Sequence, residues 1–201
     1  IEDRHEITSL IRANNFGLMT SDGEDGAIIG SHLPFMYDLE PGPYGILTGH
    51  MARSNPHWRA FTGGQALTVF QGPHAYISPS NYVSEKAVPT WNYLAVHTYG
   101  TPRIIEDTAS VRAMLDRLIE IHEADAEEPW FYQGPGAYID KLARAIVAFE
   151  IPVDRIEAKA KLGQNKPAAD RRGTVAGLRA KGDDNAAALA DFTEKLSPPD
   201  D

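Results

Sequence analysis

Residues 45–59 read Gly-Ile-Leu-Thr-Gly-His-Met-Ala-Arg-Ser-Asn-Pro-His-Trp-Arg, an apolar, strand-like start followed by a cation and a helix signal. Ser54 or Asn55 can cap a helix, and Pro56 suits the first helical position, where its missing N–H costs nothing. Arg53 stands just before that start. This stretch therefore predicts an anion site made of free backbone N–H groups, the positive end of a helix dipole and a guanidinium. The ligand that best suits such a site is a phosphate group. The stretch is equally compatible with a plain helix cap beside a surface arginine.

Turn signals divide the rest of the chain into short strands and helices. Predicted strands cover residues 16–20, 27–37, 45–47, 66–70, 75–77, 91–105 and 146–156, and predicted helices cover residues 3–11, 55–61, 108–122, 137–144, 167–181 and 186–196. Pro34 predicts a kink or an edge position in the second strand. The order of β runs, a helical excursion, one more β run and final helices does not alternate as in a doubly wound sheet. It favours an antiparallel barrel with helices packed outside.

Composition narrows the class of protein. The 201 residues fit one domain, or one domain with a helical appendage, and 42% hydrophobic residues are enough for a core. A formal charge of −9 argues against a general nucleic-acid coat, which needs a basic surface. The absence of cysteine excludes disulfides, thiolate catalysis and iron–sulfur clusters. No apolar run approaches the roughly 20 residues of a membrane span, and the chain does not open on a signal peptide, so we expect a cytoplasmic protein with no membrane partner.

Histidines and aromatic residues occur within the strand-like runs. The histidines are His32, His50, His74 and His97, and no two of them have the spacing of a metal-ligand pair. No nearby carboxylate completes a set, so no metal is expected. The aromatic residues between 75 and 100 are typical of core packing, or of a wall for a planar ring system. The chain contains no nucleophile elbow, dinucleotide fingerprint or P-loop, and no catalytic residue can be named.

The C-terminal region contains a basic segment. Residues 155–182 carry eight Lys and Arg against two acidic residues, a net charge of +6. Within them, residues 159–166 combine three lysines with two amides, which predicts either a solvated turn or a second arm that reaches an anionic ligand. The helix–Gly–helix pattern is similar to a helix-turn-helix. The predicted helix 186–196 contains Asp191 and Glu194, however, and these acidic residues disfavour its binding in a DNA groove. We expect this helix to pack on the domain or on a partner chain.

Five motifs, in order, resemble the PaiB-type FMN-binding negative transcriptional regulators. They are Ser-His-Leu-Pro-Phe at 31–35, Gly-His-Met-Ala-Arg-Ser-Asn-Pro-His-Trp at 49–58, Phe-Gln-Gly-Pro-His-Ala-Tyr-Ile-Ser-Pro at 70–79, Val-Pro-Thr-Trp-Asn-Tyr at 88–93 and Lys-Leu-Gly-Gln-Asn at 161–165. The match runs over nearly the whole chain, from Ile1 to the region of Lys181. One departure is Gly163, where the family pattern has serine, and it removes one possible hydroxyl donor.

The resemblance implies an α+β, mainly β fold: a split β-barrel like that of pyridoxamine phosphate oxidase, with peripheral helices and a helical C-terminal extension. It implies that residues 1–158, including a helical insertion at 107–144, form the FMN-binding barrel. Residues 159–201 would form a basic loop and helices that pack on the barrel or on the dimer partner. FMN would lie in a groove at a homodimer interface, bound by both chains.

Carried over residue by residue, the resemblance implies a set of cofactor contacts. The phosphate contacts are Arg53, Ser54 and the helix start at Asn55; the residues that line the isoalloxazine edge are Ser31, His32, Leu33, Thr48, Gly49 and His50; the C-terminal contacts, candidates to come from the second subunit, are Lys161, Gln164 and Asn165. A phosphate monoester is best held by charge-assisted hydrogen bonds and a helix dipole. The predicted 53–56 loop offers both.

Four functions stay open at this point. The first is a flavin-binding transcriptional regulator, and the second is a flavin-dependent oxidoreductase whose reaction is unassigned. The third is a haem-binding or haem-degrading split barrel, in which His32, His50 or His74 would be the axial ligand. The fourth is direct DNA binding by residues 155–182, against which the overall charge of −9 argues.

Overall fold

The computed structural model describes residues 1–23 and 25–197, and over this part of the chain it contains α-helices, β-strands and two short 3₁₀ helices. The α-helices are α1 Arg4–Ala13, α2 Thr108–Glu123, α3 Gly136–Arg144, α4 Ala168–Arg179 and α5 Asp184–Leu196. The strands are β1 Phe16–Asp22, β2 Ile28–Asp38, β3 Ile46–Ala52, β4 Ala66–Ile77, β5 Thr90–Gly100, β6 Arg103–Ile104 and β7 Ile146–Lys161, and the 3₁₀ helices are Pro56–Ala60 and Pro79–Asn81. The fold is α+β and mainly β, as predicted.

The strands form an antiparallel sheet that closes on itself. Their order is β3-β2-β1-β4-β5-β7-β6, and β3 pairs with β7 as well as with β2. The closing register runs from Ile46 opposite Pro152 to Ala52 opposite Ile146. This closure confirms the antiparallel barrel predicted from the many short strands. Closing the sheet also leaves few unpaired strand edges.

Aromatic side chains fill the closed part of the sheet. Phe35, Phe70 and Phe149 are buried, and Phe35 makes edge-to-face contacts with the other two rings, at centroid distances of 5.7 and 6.1 Å. Gly49 faces these rings: a Cβ at this position would come within 3.2 Å of Phe149 and 3.3 Å of Phe35. The alternation of β3 therefore turns Gly49 towards the core, and its neighbours Thr48 and His50 towards the opposite, half-buried face.

Pro34 lies where β2 changes its pairing partner. Residues 28–34 register with β1, and residues 35–38 register with β3. Pro34 itself stands opposite Phe16, at the last position of the first ladder. The proline was expected at a kink or an edge, and Pro34 has a registered partner on one side only, at the point where the strand passes from one ladder to the next.

The strand boundaries differ from the prediction at two places. The predicted break at Gly72-Pro73 is wrong, because β4 runs through both residues. Gly72 allows close packing of its neighbours. A Cβ at this position would lie 2.9 Å from Leu10 and 3.1 Å from Leu94, so the position has no room for a side chain. The single long strand predicted at 91–105 is also wrong, because β5 ends at Gly100 and β6 is a separate short strand.

The chain divides into two compact units. The barrel unit consists of Ile11–Phe70 and His97–Ile156, and the terminal unit of Ile1–Leu10, Gln71–Val96 and Glu157–Asp201. Residues 198–201 of the predicted C-terminal extension lie outside the described residues. The domain boundary expected near residue 158 stays a prediction.

In the barrel unit, the predicted helical excursion is confirmed as α2 and α3, which pack against the sheet. A buried cluster joins the helices to β2 and β7: Met36, Val111, Met114, Ala143 and Ala148. Asp107 caps α2 by accepting a hydrogen bond from the Ser110 N–H at 2.8 Å. Arg117 of α2 donates to Asp38 at the end of β2 at 2.6 Å and lowers the pKa of that carboxyl.

In the terminal unit, the buried carboxylate of Asp170 in α4 is hydrogen-bonded to the loop that contains Val83 and Ser84. Asp170 is 1% exposed and accepts hydrogen bonds from the Val83 and Ser84 N–H groups, at 2.8 and 3.1 Å, and from the Ser84 hydroxyl at 2.7 Å. These bonds, first that of the Ser84 hydroxyl, lower the pKa of Asp170. Gly173 and Gly177 of the same helix lie directly against Asn81 in the preceding 3₁₀ helix. Two small residues one turn apart thus allow the loop backbone to approach α4 closely.

Candidate functional site

Arg53 is tied to a part of the chain far away in sequence. Its Nε donates to the Arg144 carbonyl at 2.9 Å, and its Nη2 donates to the Ile146 carbonyl at 2.7 Å. Its backbone N–H donates to the Ala145 carbonyl at 2.8 Å. One edge of the guanidinium thus satisfies carbonyls at the end of α3, where a cation also suits the helix dipole. Its Nη1 has no hydrogen-bond partner in residues 1–23 and 25–197.

A second arginine and a tryptophan stand beside Arg53. The Trp58 indole N–H donates to the Arg53 carbonyl at 3.1 Å. The guanidinium carbons of Arg53 and Arg59 lie 6.0 and 5.5 Å from the centre of the Trp58 ring system. Arg53 and Arg59 thus lie against one aromatic side chain, and these three residues, with Arg144, which lines the same cleft as Arg53 and Trp58, are hereafter called the Arg53 cluster. Such a cluster suits an anionic ligand.

A cleft of about 420 Å³ opens at this cluster, entirely within the barrel unit. It is lined by Arg53, Trp58, Ile104, Ile105, Glu106, Thr108, Val111, Ala143, Arg144, Ile146, Val147 and Ala148. Its walls are the residues before and at the start of α2, the end of α3 and the start of β7. The volume falls within the range that small-molecule and cofactor sites occupy.

The predicted helix after Arg53 is present, but it is a single 3₁₀ segment, Pro56–Ala60. Asn55 caps it: the side-chain oxygen accepts a hydrogen bond from the His57 N–H at 3.0 Å. The dipole of five residues is small, so the positive potential comes mainly from the guanidinium groups. Ser54 is exposed, and neither its hydroxyl nor its N–H has a partner within the described ranges.

The β2 residues expected at the cofactor take different positions. Leu33 is buried, with 7% of its surface exposed. His32 is exposed and stacks on Phe16, with ring centroids 6.0 Å apart. The Ser31 side chain is buried and is hydrogen-bonded to Asn55 and His57. Only His32 of the three is directly open to solvent.

His50 carries a buried polar atom that lacks a partner. Its Nδ1 makes no hydrogen bond within the described residues, although it is out of contact with solvent. His50 stands opposite Ala148, a residue of the cleft. Buried side-chain nitrogens in proteins are nearly always hydrogen-bonded, so an unpaired one calls for an explanation such as a ligand or a bound water. Thr48 lies on the same face of β3, and Gly49 on the opposite, core-facing side.

The terminal unit holds the three remaining predicted contacts. Lys161 Nζ donates to the Thr90 hydroxyl at 2.6 Å. Asn165 is exposed and has no hydrogen bond within the described part of the chain. Lys161 therefore has one donor engaged and Asn165 none.

Gln164 shapes the turn in which these residues stand. Its side-chain oxygen accepts from the Leu162 N–H at 3.0 Å, and its amide nitrogen donates to the Ala160 carbonyl at 2.8 Å. Gly163 adopts φ of +78°, a conformation that strains any residue with a side chain. The turn therefore favours glycine at this position.

His57 is the residue of this region that sequence reasoning did not single out. It is 0% exposed, and both ring nitrogens are hydrogen-bonded: Nδ1 to the Ser31 hydroxyl and Nε2 to the Ser21 hydroxyl, each at 2.9 Å. The only local signal was its position two residues after the cap Asn55. Its two hydroxyl partners are 26 and 36 residues away in the chain, so their proximity depends on the fold.

Acidification is expected to destabilise the protein already in the mildly acidic range. Burial lowers the pKa of His57 and of His50 below the ordinary 6.5. The unfolded chain then binds more protons than the folded one as the pH falls below about 6.5, so the free energy of unfolding decreases there. The carboxyls of Asp38 and Asp170, whose pKa values are lowered from 3.8, lose their contribution only at more acidic pH.

Thermal unfolding followed by circular dichroism from about pH 7.5 to about pH 5.5 checks this expectation. The melting temperature should fall across the interval, and a His57→Gln variant, which cannot titrate at this position, should show a shallower fall. A melting temperature that stays constant over the interval, in wild type and variant alike, would contradict it.

Among the described residues, no three His, Asp or Glu side chains come close enough to hold a metal ion. No helix in the same ranges is both long and apolar enough to cross a membrane.

Comparison with known proteins places this geometry among relatives. The sequence family FMN_bind_2, described as "Putative FMN-binding domain", matches residues 1–155. The chain is 36% identical over 197 residues to the protease synthase and sporulation protein PAI 2 of Bacillus subtilis, a match that covers 96% of this chain and 93% of that protein.

Two solved structures share the fold. The FAD and haem binding protein of Mycobacterium smegmatis superposes with a TM-score of 0.58 at 19% identity, covering 81% of this chain and 73% of that one. The flavocytochrome Anf3 of Azotobacter vinelandii superposes with a TM-score of 0.59 at 11% identity, covering 81% and 69%. At these low sequence identities, the similarity shows a shared fold only.

Proposed function

The chain belongs to the FMN_bind_2 family, so its cofactor is FMN, and we propose that the FMN phosphate binds at Arg53 and Ser54 in a groove completed by a second copy of the chain. The protein is a PaiB-like FMN-binding protein by its relationship to the Bacillus protein. The position of the cofactor, the dimer and the regulatory role are the proposal.

The donor set at the Arg53 cluster carries this proposal. The Nη1 group of Arg53 and both the N–H and the hydroxyl of Ser54 lack partners within the described residues, and they belong to adjacent residues. Arg59 and Arg144 add positive charge nearby. A phosphate monoester carries about two negative charges and needs several charge-assisted hydrogen bonds, which this set can supply.

The unpaired nitrogen of His50 supports the position of the ring. An isoalloxazine presents polar atoms along one edge, and a buried Nδ1 without a partner would gain the hydrogen bond that it lacks. Because burial lowers the pKa of His50, the imidazole is neutral near neutral pH and can either donate or accept at this atom. Thr48, on the same face of β3, is the second side chain that we assign to this edge.

When bound, FMN supplies the electron chemistry, and the chain supplies binding, orientation and electrostatics. Arg53 and Ser54 hold the phosphate, and the carbonyls of Arg144 and Ile146 keep the guanidinium in place. Lys161 and Asn165 are the residues proposed to reach the cofactor from the second subunit. Gln164 supports them indirectly, because both of its polar groups are engaged in forming the turn.

Exposed aromatic and apolar residues of the terminal unit support a second subunit. Trp91 is 55% exposed, and Val83 and Val88 are 75% and 71% exposed. Tyr76 and His74 contact the Trp91 ring, with centroids 6.2 and 6.3 Å away. The Trp91 ring with Tyr76 and His74 against it is an exposed aromatic group, and such a group is typical of an interface.

A regulatory role is the function that we propose for the bound FMN, because the Bacillus relative is named for protease synthesis and sporulation rather than for a reaction. In this proposal the occupancy or redox state of FMN controls the protein's interactions. A flavin-dependent oxidoreductase is the alternative function for the same site.

Titration of the purified protein with FMN tests the proposal. Flavin fluorescence should be quenched to an end point of one FMN per chain, and sedimentation should give the mass of two chains. Riboflavin, which lacks the phosphate, should bind at least about 100-fold more weakly, since two or more charge-assisted hydrogen bonds are lost. Failure to take up FMN, equal affinity for riboflavin, or a Soret band from tightly bound haem instead of flavin bands would contradict it.

A further inference from the structure

His57 joins two strands of the sheet from inside the protein. It lies in the 3₁₀ helix, and it bonds Ser21 of β1 through Nε2 and Ser31 of β2 through Nδ1. The imidazole and the two hydroxyls are all uncharged when the imidazole is neutral, and burial favours that state by lowering the pKa of His57. The imidazole thus has a defined place and two defined partners.

The directions of these hydrogen bonds follow from the cap. The His57 N–H must donate to the Asn55 side chain, which identifies the accepting atom as the amide oxygen. The amide nitrogen therefore donates to the Ser31 hydroxyl, at 3.0 Å. Ser31 keeps its own hydrogen, which it can donate to His57 Nδ1; in that tautomer the imidazole carries its proton on Nε2 and donates it to Ser21.

This chain of bonds ends on the residue next to Ser54. Asn55 is held by the Ser31 hydroxyl on its side chain, by the His57 N–H on its cap oxygen and by the Ala52 carbonyl on its backbone N–H, at 2.9 Å. A residue with three such bonds has little conformational freedom. Ser54 and Arg53 precede it directly, so the backbone that presents their donors is set before any ligand arrives.

We propose that His57 is a positioning residue for the phosphate site: through Ser31 and Asn55 it holds the Arg53–Ser54 backbone in the conformation that binds the anion. The inference rests on the proposed function. Its physical basis is preorganisation, because a loop that is already ordered does not lose conformational entropy on binding. It also reassigns Ser31 and Asn55 from direct cofactor contacts to the support of Arg53 and Ser54.

Two substitutions at His57 separate positioning from a purely structural role. In His57→Asn the side-chain amide occupies the place of Nδ1, so it can keep the bond to Ser31 and loses the one to Ser21. In His57→Gln the amide occupies the place of Nε2, so it can keep Ser21 and loses Ser31. If the loop is held through Ser31, His57→Gln should weaken FMN binding about tenfold or more, and His57→Asn should stay within about threefold of wild type.

The serine pair supplies the same contrast with smaller changes, in case a His57 variant does not fold. Ser31→Ala should reduce FMN affinity as His57→Gln does, and Ser21→Ala should not. Riboflavin affinity should be unchanged in all four variants, because the phosphate site is the part that loses its order. Melting temperatures measured in parallel should fall by similar amounts within each pair.

Equal FMN affinities for Ser31→Ala and Ser21→Ala, or losses that follow the melting temperature alone, would overturn the inference. An Arg53→Gln variant measured in the same series distinguishes a failure of this inference from a failure of the proposed function. If Arg53→Gln binds FMN as wild type does, the phosphate is not held there and the proposed site fails. If Arg53→Gln loses affinity and Ser31→Ala does not, the site stands and the positioning role of His57 fails.

Discussion

Arg53→Gln is expected to weaken FMN binding about 10- to 100-fold and to leave riboflavin binding within about threefold of wild type. The substitution removes the charge and the unpartnered Nη1 group, which correspond to a charge-assisted hydrogen bond of roughly 1.5–3 kcal/mol. The glutamine amide can still donate to one of the carbonyls that Arg53 holds, those of Arg144 and Ile146. Calorimetric or fluorescence titration with the two flavins measures the difference directly.

The matched control for this substitution is Arg59→Gln. Arg59 lies against the same Trp58 ring, is exposed and makes no hydrogen bond within the described residues, so its loss removes a comparable charge at the cluster without removing the proposed phosphate contact. It should reduce FMN affinity only about two- to threefold, an effect that added salt screens. Equal losses for the two variants would mean that the cluster attracts FMN by its general potential and that Arg53 has no specific contact.

Gly173→Ala is expected to destabilise the protein by about 3 kcal/mol or more, the largest effect on folding among the glycine positions of α4. A Cβ at this position would overlap the backbone carbonyl oxygen of Asn81, and neither α4 nor the 3₁₀ helix can move without disturbing the other. The bonds from Val83 and Ser84 to Asp170 would be strained by the same shift. Urea denaturation gives the free energy of unfolding.

Two further glycines calibrate that measurement. Gly177→Ala would meet the end of the Asn81 side chain, which can rotate, so a smaller loss is expected. Gly136→Ala at the start of α3 has open space, with the nearest atom 3.9 Å away on Arg112, and should be neutral or slightly stabilising because alanine favours the helix. If Gly173→Ala were as stable as Gly136→Ala, the close approach of the loop to α4 would be refuted.

Local sequence signals were sufficient for several parts of the fold and site. The cap at Asn55, one of the two candidates, and the proline at the first helical position were readable from neighbouring residues, and the structure confirms them. Capping works because the side chain and the N–H that it satisfies are two or three residues apart. The cofactor was predicted from ordered motifs that resemble those of a family, and the family match over residues 1–155 confirms the prediction.

Other parts could not be read in the same way. Gly72-Pro73 has strong turn propensity, yet β4 continues through it because Leu10 and Leu94 pack against the glycine. Propensity is a weak preference, and packing contacts override it. The C-terminal part of the strand predicted at 91–105 was wrong for a related reason, since only the pairing of Arg103 and Ile104 with β7 defines β6 as a separate strand.

The sequence by itself determined the class of fold, the family and the cofactor, and it predicted an anion site at residues 53–55, because each of these depends on residue types at short, fixed spacings. The tertiary structure alone decided which donors remain for a ligand. Arg53 gives one edge of its guanidinium to carbonyls about 90 residues away, and Ser31 and Asn55 give their side chains to each other and to His57. Such contacts join residues that are distant along the chain, and their geometry exists only when the strands have paired and the helices have packed.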